Sequence, residues 1–273
     1  MIAASRTASL QRVTILGLGE AGSEIARDLL RAGVHVRGYD PDPARTVEGV
    51  DHARSEADAA RGTQLVLSVN WSRVSLDVAR RVAPVLAAEQ VYADMNASAP
   101  AKKAAVAEIL GADALVADVA LMAPVPGKGI RTPMLASGPG AARFVALLDV
   151  AGSPITLLQG PVGVAASRKL ARSVFYKGLA AAVGEALEAA ALMGADAERA
   201  LRGDIIKTLM ASDANTVDRL QEGSRRHAVR REEEMAAAAE MLRTLGLEPI
   251  MAEAARAWLA RVAASGGSDG TRA

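Results

Sequence analysis

VTILGLGEAGSEIARDLLRAG, residues 13–33, decides how the N-terminal half is read. An apolar run, VTIL, leads straight into Gly17, Gly19 and Gly22, and apolar residues then recur at Ile25, Ala26, Leu29 and Leu30. The recurrence marks one face of a helix, while the run before it has the length and β-branching of a buried strand. A strand, a glycine turn and a helix in this order suit a pyrophosphate. The first glycine makes the tight turn, the second lets phosphate approach the backbone, and the third lets helix and strand pack closely. The helix N-terminus then offers free amides and the positive end of its dipole. Gly17, Leu18, Gly19, Glu20, Ala21 and Gly22 are therefore the expected phosphate-facing loop. The alternative is a tight strand–helix turn with no ligand.

The next apolar run, VHVRGY (34–39), ends at Asp40, 23 residues after Gly17. An acid there binds the adenosine ribose hydroxyls and repels a 2′-phosphate, which favours NAD over NADP. Arg45 is the nearby residue able to accommodate that phosphate instead. Further runs follow: QLVLSV before Asn70, VYADM (91–95), ALVADVA (114–120) and PITLLQ (154–159), separated by helical stretches such as SRVSLDVARRVAPVL. Near-continuous apolar strands alternating with helices predict a doubly wound, mostly parallel sheet covered on both faces. Ligands of such sheets sit beyond the carboxyl ends of the strands. Asn70 and Asn96 stand at two of those ends and are candidates for the nicotinamide-ribose side; the alternative is that each caps the following helix.

After Gly160 the pattern changes. Apolar residues recur at helical spacing from about Val164 to Met193, followed by helices near 196–210, 213–222, 226–245 and 249–264. The expected fold is thus α/β: a Rossmann domain over 1–160, a long interdomain helix leading into an all-helical substrate and dimerisation domain over 161–264, and a disordered tail over 265–273.

Composition narrows the function. A net charge of +1 argues against an electrostatic nucleic-acid binder. The absence of cysteine excludes thiol chemistry, cysteine-bound zinc and disulfides, and is compatible with a reducing cytoplasm. No run of about 18 apolar residues suggests a membrane span, the first residues lack the pattern of a signal peptide, and no histidine–carboxylate cluster has metal spacing.

One stretch calls for a special reason. AASRKLARSVFYKG (165–178) places Lys169, Ser173 and Tyr176 on one stripe of the long helix. Only six of the thirty-two basic residues are lysine, so arginine is the usual surface cation of this chain. Lysine can give up its proton near neutrality when desolvated, and arginine cannot. Lys169 between Arg168 and Arg172 is therefore a candidate general acid/base; the alternative is a lysine lying along a solvated face. Substrate-anchoring candidates are Ser173 and Tyr176, Lys128 in the loop PVPGKGIR, and Arg231 in the basic run RRHAVRREEE with His227 and Arg230, a run equally readable as a solvated helix face.

Together these features resemble the β-hydroxyacid dehydrogenase family, which includes 3-hydroxyisobutyrate and 6-phosphogluconate dehydrogenases. That family opens its interdomain helix with G-x-x-G-x-G-x-x-x-K-x-x-x-N, and this chain reads GPVGVAASRKLARS from Gly160. Gly160, Gly163 and Lys169 match, with Ala165 for the third glycine and Ser173 for the asparagine. The family's DxSTxxP segment is DMNASAP here, and its Ser-Gly-Gly substrate loop falls on Met122, Ala123 and Pro124. The C-terminal stretch RHAVRREEEM is similar to a bacterial subgroup with a phosphogluconate-dehydrogenase-like C-terminal domain. The resemblance implies an NAD(P)-dependent oxidoreductase on a hydroxyl-bearing, anionic small molecule, Lys169 as its acid/base, and a homodimer. Two rivals stay open: imine reduction on the same scaffold, and a non-catalytic dinucleotide-binding protein.

Overall fold

The structure, a computed structural model, describes residues 9–266. It divides into two compact units, one reaching to Arg172 and the other starting at Ser173. The division falls inside the long helix, twelve residues past Gly160.

The first unit runs β1 (Arg12–Leu16), α1 (Glu20–Arg31), β2 (His35–Tyr39), β3 (Asp51–His52), α2 (Glu56–Ala60), β4 (Leu65–Ser68), α3 (Ser75–Val82), β5 (Val91–Asp94), α4 (Pro100–Leu110), β6 (Leu115–Leu121), β7 (Met134–Ser137), α5 (Ala141–Leu148) and β8 (Ile155–Leu157). The strands form one sheet in the order β3-β2-β1-β4-β5-β6-β7-β8. All pairings are parallel except β6 with β7. The doubly wound sheet expected from the alternation is present, with two additions. β3 is too short to carry a pattern, and β7 is a four-residue run behind Pro133 that turns back along β6.

Strand alternation sends side chains to two cores. Val13, Ile15, Val36, Leu65, Leu67, Val91, Ala93, Ala117 and Val119 meet Ile25, Ala26 and Leu29 of α1 and Phe144 of α5. On the opposite face Leu16, Val66 and Tyr92 meet Ala59 and Ala60 of α2, Val78, Ala79 and Val82 of α3, and Val106 of α4. With so few aromatics, the interior is filled by small and β-branched side chains. They suit short strands lying between closely packed helices.

α6 (Val164–Met193) begins in the first unit. The second unit continues with α7 (Ala195–Met210), α8 (Thr216–Arg226), α9 (Ala228–Thr244) and α10 (Ile250–Gly266). Ala189, Ala239, Leu242 and Ala252 form its apolar cluster. The Glu185 carboxylate accepts the first-turn N–H groups of Met251 and Ala252 at 2.8 and 2.9 Å, tying α6 to the start of α10. Residues 265 and 266 of the expected tail are helical, and 267–273 lie outside the described residues. Among the described residues no helix is long and apolar enough to cross a membrane.

Tyr92 is wholly buried in the second core, and among the described residues its hydroxyl makes no hydrogen bond of ordinary geometry, with Ser68 its polar neighbour. Burial, with Asp94 nearby, pushes its phenol well above the ordinary range. The unfolded chain therefore loses the Tyr92 proton before the folded protein does. The linked stability is present below the ordinary phenol pKa of about 10 and is lost as pH rises above it. Tyr92→Phe should leave thermal stability at pH 7 unchanged or raised, and should flatten its decline between about pH 10 and 12. Melting curves of both proteins across that interval check this.

Candidate active site

The strand order reverses direction between β1 and β4, and a cleft of about 640 Å³ opens there at the carboxyl ends of the strands. Gly17 turns the chain with φ of +99°, and its N–H donates to the Tyr39 carbonyl at 2.8 Å. A side chain at Gly17 would put its Cβ 2.3 Å from the Val69 carbonyl oxygen, and one at Gly22 would lie 1.9 Å from that of Gly17. Both positions admit only glycine. α1 starts at the mouth of the cleft without a side-chain cap, and among the described hydrogen bonds none uses the N–H groups of Glu20, Ala21 or Gly22. Uncapped amides at a helix N-terminus, beside a turn too tight for any side chain, fit a bound pyrophosphate.

Asp40 lines the same cleft with its side chain 6% exposed. One carboxylate oxygen accepts the Leu18 N–H at 2.8 Å and the other accepts that of Asp42 at 3.0 Å. Leu18 thus spends its amide on Asp40 and its side chain in the core, while its glycine neighbours face the cleft. Arg45 stands 3.8 Å from Asp40 and 3.4 Å from Asp42. Its guanidinium lies over Gly19, 2.8 Å from where a Cβ would be.

Asn70 and Asn96 also line the cleft. Both side-chain amides donate to Ser68 Oγ, at 3.0 and 3.1 Å, and Asn96 Oδ1 accepts the Asn70 N–H. Neither caps a helix: Trp71 precedes the 3₁₀ turn after β4, and Ala99 precedes α4. Trp71 is 68% exposed at the cleft, with the Arg73 guanidinium 5.3 Å above its ring.

Lys169, half-buried on α6, faces the glycine turn across this cleft beside Leu121. One turn later Arg172 donates to the Met122 carbonyl at 2.8 Å, fastening the loop after β6 to the helix. Of the other predicted residues, Lys128 stands apart from this cleft within the first unit, and Ser173, Tyr176 and Arg231 belong to the second unit. Lys128 lines a separate charged hollow with Arg27, Arg31 and Arg131, where its loop is held to α1 by Glu24 and Asp28. Ser173 and Tyr176 follow Lys169 on α6 within the second unit, Tyr176 edge-on to Phe175 with ring centroids 5.6 Å apart. Arg231 donates to Ser224 Oγ at 2.8 Å, joining α9 to α8, and Arg230 pairs with Glu234. Among the described residues no group of three acidic or histidine side chains is placed to hold a metal ion.

A buried polar row beneath the cleft escaped the sequence reading. Ser68, Asp94, Asp118 and Ser137 are register partners across β4, β5, β6 and β7 and share one face of the sheet. Lys103 of α4, 1% exposed, reaches into the row and lies 3.2 Å from Asp94 and 3.4 Å from Asp118, while donating to the Asp94 carbonyl at 2.6 Å. The signal was available: VYADM and ALVADVA each carry an aspartate inside a run too apolar to be exposed, and buried acids require a cation.

This cleft is that of a dinucleotide-binding α/β domain. Residues 12–130 match the NAD binding domain of 6-phosphogluconate dehydrogenase, and residues 193–262 match a domain of unknown function, DUF1932. The chain therefore carries a segment of the 6-phosphogluconate dehydrogenase NAD-binding type followed by a DUF1932 segment. A conserved protein of unknown function, itself structurally similar to 3-hydroxyacid dehydrogenases, is 28% identical with a TM-score of 0.62, over 93% of this chain and 99% of that one. An uncharacterized 28.5 kDa protein of Methanothermus fervidus is 25% identical over 88% of this chain and 94% of its own length. An imine reductase from Myxococcus stipitatus in complex with NADP+ shares the fold, with a TM-score of 0.74 at 19% identity over 93% of this chain and 95% of that one.

Removing Lys103 would leave two carboxylates buried without their cation. Lys103→Met should therefore lower the stability of the protein by about 3–5 kcal/mol, read as a fall in the urea midpoint at neutral pH.

Proposed function

We propose that the protein is an NAD(P)-dependent oxidoreductase that interconverts a hydroxyl-bearing, anionic small molecule and its carbonyl, with Lys169 as general acid/base. The observation that carries this reading is the half-buried Lys169 on the wall of the cleft that also holds the glycine turn and Asp40. A bound nicotinamide supplies the hydride acceptor or donor. This chain's residues do the rest: α1 amides and Gly17–Gly22 seat the phosphates, Asp40 takes the ribose hydroxyls, and Asn70 and Asn96 border the nicotinamide side. As the substrate carbon gives up its hydride, the neutral Lys169 Nζ takes the hydroxyl proton; in reduction the ammonium returns it to the carbonyl oxygen. Asp40, on the cleft wall, favours NAD over NADP by leaving a 2′-phosphate facing a carboxylate. Arg45 is the counterweight to that preference, being paired with two acids in the cleft.

Imine reduction is the second reading, and the loop after β6 favours it. Met122 gives its N–H to Pro133 and its carbonyl to Arg172, and Pro124 has no N–H. Of the three residues that take the positions of the family's substrate loop, Ala123 alone has a backbone N–H without a bond among the described residues. A panel of short β-hydroxyacids with NAD and NADP, run beside cyclic imines with NADH and NADPH, separates the readings. Lys169→Ala should lower kcat on the true substrate about 10²–10⁴-fold with dinucleotide affinity unchanged. Turnover that survives in this variant would overturn the assigned role of Lys169.

We further propose that the working form is a homodimer built on the helical unit. Phe175, Met210, Val217 and Leu220 are exposed there, Met210 at 81%, beside a small apolar cluster of their own unit. A homodimer interface on this unit would cover these side chains, as exposed apolar patches are covered in assemblies. Sedimentation equilibrium should give twice the chain mass, and Leu220→Glu should shift it toward one chain.

A further inference from the structure

We infer that Asp118 and Ser137 are positioning residues that fix the first turn of α6 to the sheet and so set where Lys169 stands in the cleft; this rests on the role proposed above for Lys169. The first four N–H groups of a helix have no partner within it. In α6 the sheet supplies three of the four. Asp118 Oδ2 accepts the N–H groups of Gly163 and Ala166, each at 3.0 Å, and Ser137 Oγ accepts that of Ala165 at 3.0 Å. Val164 makes the fourth bond, a longer one of 3.4 Å to the Pro161 carbonyl. The Ser137 hydroxyl in turn donates to Asp118 Oδ2 at 3.3 Å, and both side chains are completely buried.

The polar bonds add to a small apolar contact of Ala165 with Ala120 and Leu135, and to the Arg172 bond one turn beyond Lys169. Gly163, Ala165 and Ala166 are the residues against the sheet, and they offer little apolar area. Their small size is what lets the backbone come close enough for the bonds: Gly163 has φ of +105° and already sits with its missing Cβ 3.3 Å from Pro100. Apolar contacts of this size tolerate sliding, whereas three directed hydrogen bonds from two strands do not. The Asp118 charge also faces the positive end of the helix dipole. Lys103, lying between Asp94 and Asp118, keeps that carboxylate from turning away.

Lys169 stands three residues beyond Ala166, about 4.5 Å further along the axis. A one-residue slip would swing it through about 100° and carry it off the cleft wall. Asp118→Asn tests the arrangement with little change of shape. If its oxygen faces the helix, its amide faces the Lys103 ammonium; if it is flipped, the helix loses both acceptor bonds.

Peptide-resolved amide hydrogen exchange on the whole protein, without substrate, reads the anchor directly. Asp118→Asn and Ser137→Ala should each speed exchange across residues 163–169 about tenfold, as the loss of a helix-capping bond does. The glycine-loop peptide 13–24 and the dinucleotide Kd should stay at wild-type values. On a substrate whose turnover needs Lys169, kcat should fall about 10–100-fold with that Kd unchanged. Wild-type exchange over 163–169 in Ser137→Ala, or an equal rise in both peptides, would overturn the proposal; Ser137→Ala decides it alone if Asp118→Asn does not fold. Turnover indifferent to Lys169→Ala would remove the catalytic reading while leaving the exchange result to judge the anchor.

Discussion

A single ammonium group held between two strand carboxylates underlies much of the first unit. Lys103 is nearly inaccessible, and it meets Asp94 and Asp118 from α4, on the face of the sheet away from α1. Three elements, β5, β6 and α4, are thereby held at one point, and α6 joins them through Asp118. A pair of like charges on neighbouring strands would drive them apart in an apolar core. With the cation in place Asp118 becomes the acceptor on which the first turn of α6 is mounted, and Asp94 accepts the N–H of Asn96. The glycine turn rests on geometry instead of charge, since Gly17 and Gly22 leave no room for a side chain between strand and helix.

Much of this was legible in the residues. The strand–glycine–helix stretch announced the turn, and the length of each apolar run announced a sheet buried on both faces. The bounds expected for α6 are those observed, because a helical pattern of thirty residues leaves little freedom. Local pattern failed where local pattern carries no information. β7 is four residues long and pairs backward along β6, so nothing in its own composition separates it from a loop.

The cleft divides in the same way. Gly17, Gly22, Asp40 and Lys169 each sit beside a recognisable local feature and meet at the strand ends, as the topology requires. For Lys128 and Arg231 the sequence offers a charge and its neighbours, which do not name the side chains that a loop or a helix meets. Lys128 belongs to a loop bound along the side of α1, and Arg231 spans two helices of the second unit. Asp118 and Ser137 went unread for the opposite reason. Each looks like an isolated polar residue until the pairing of β6 with β7 places them together.

The boundary between the two units, just after Arg172, has an evolutionary consequence. The glycine turn, Asp40, Lys169 and the bonds from Asp118 and Ser137 to the first turn of α6 all precede that boundary. Sequence change confined to the helical unit then leaves those bonds and the residues lining that cleft as they are. A lineage built on this plan can vary one half by drift while the half that carries the cleft stays under constant selection.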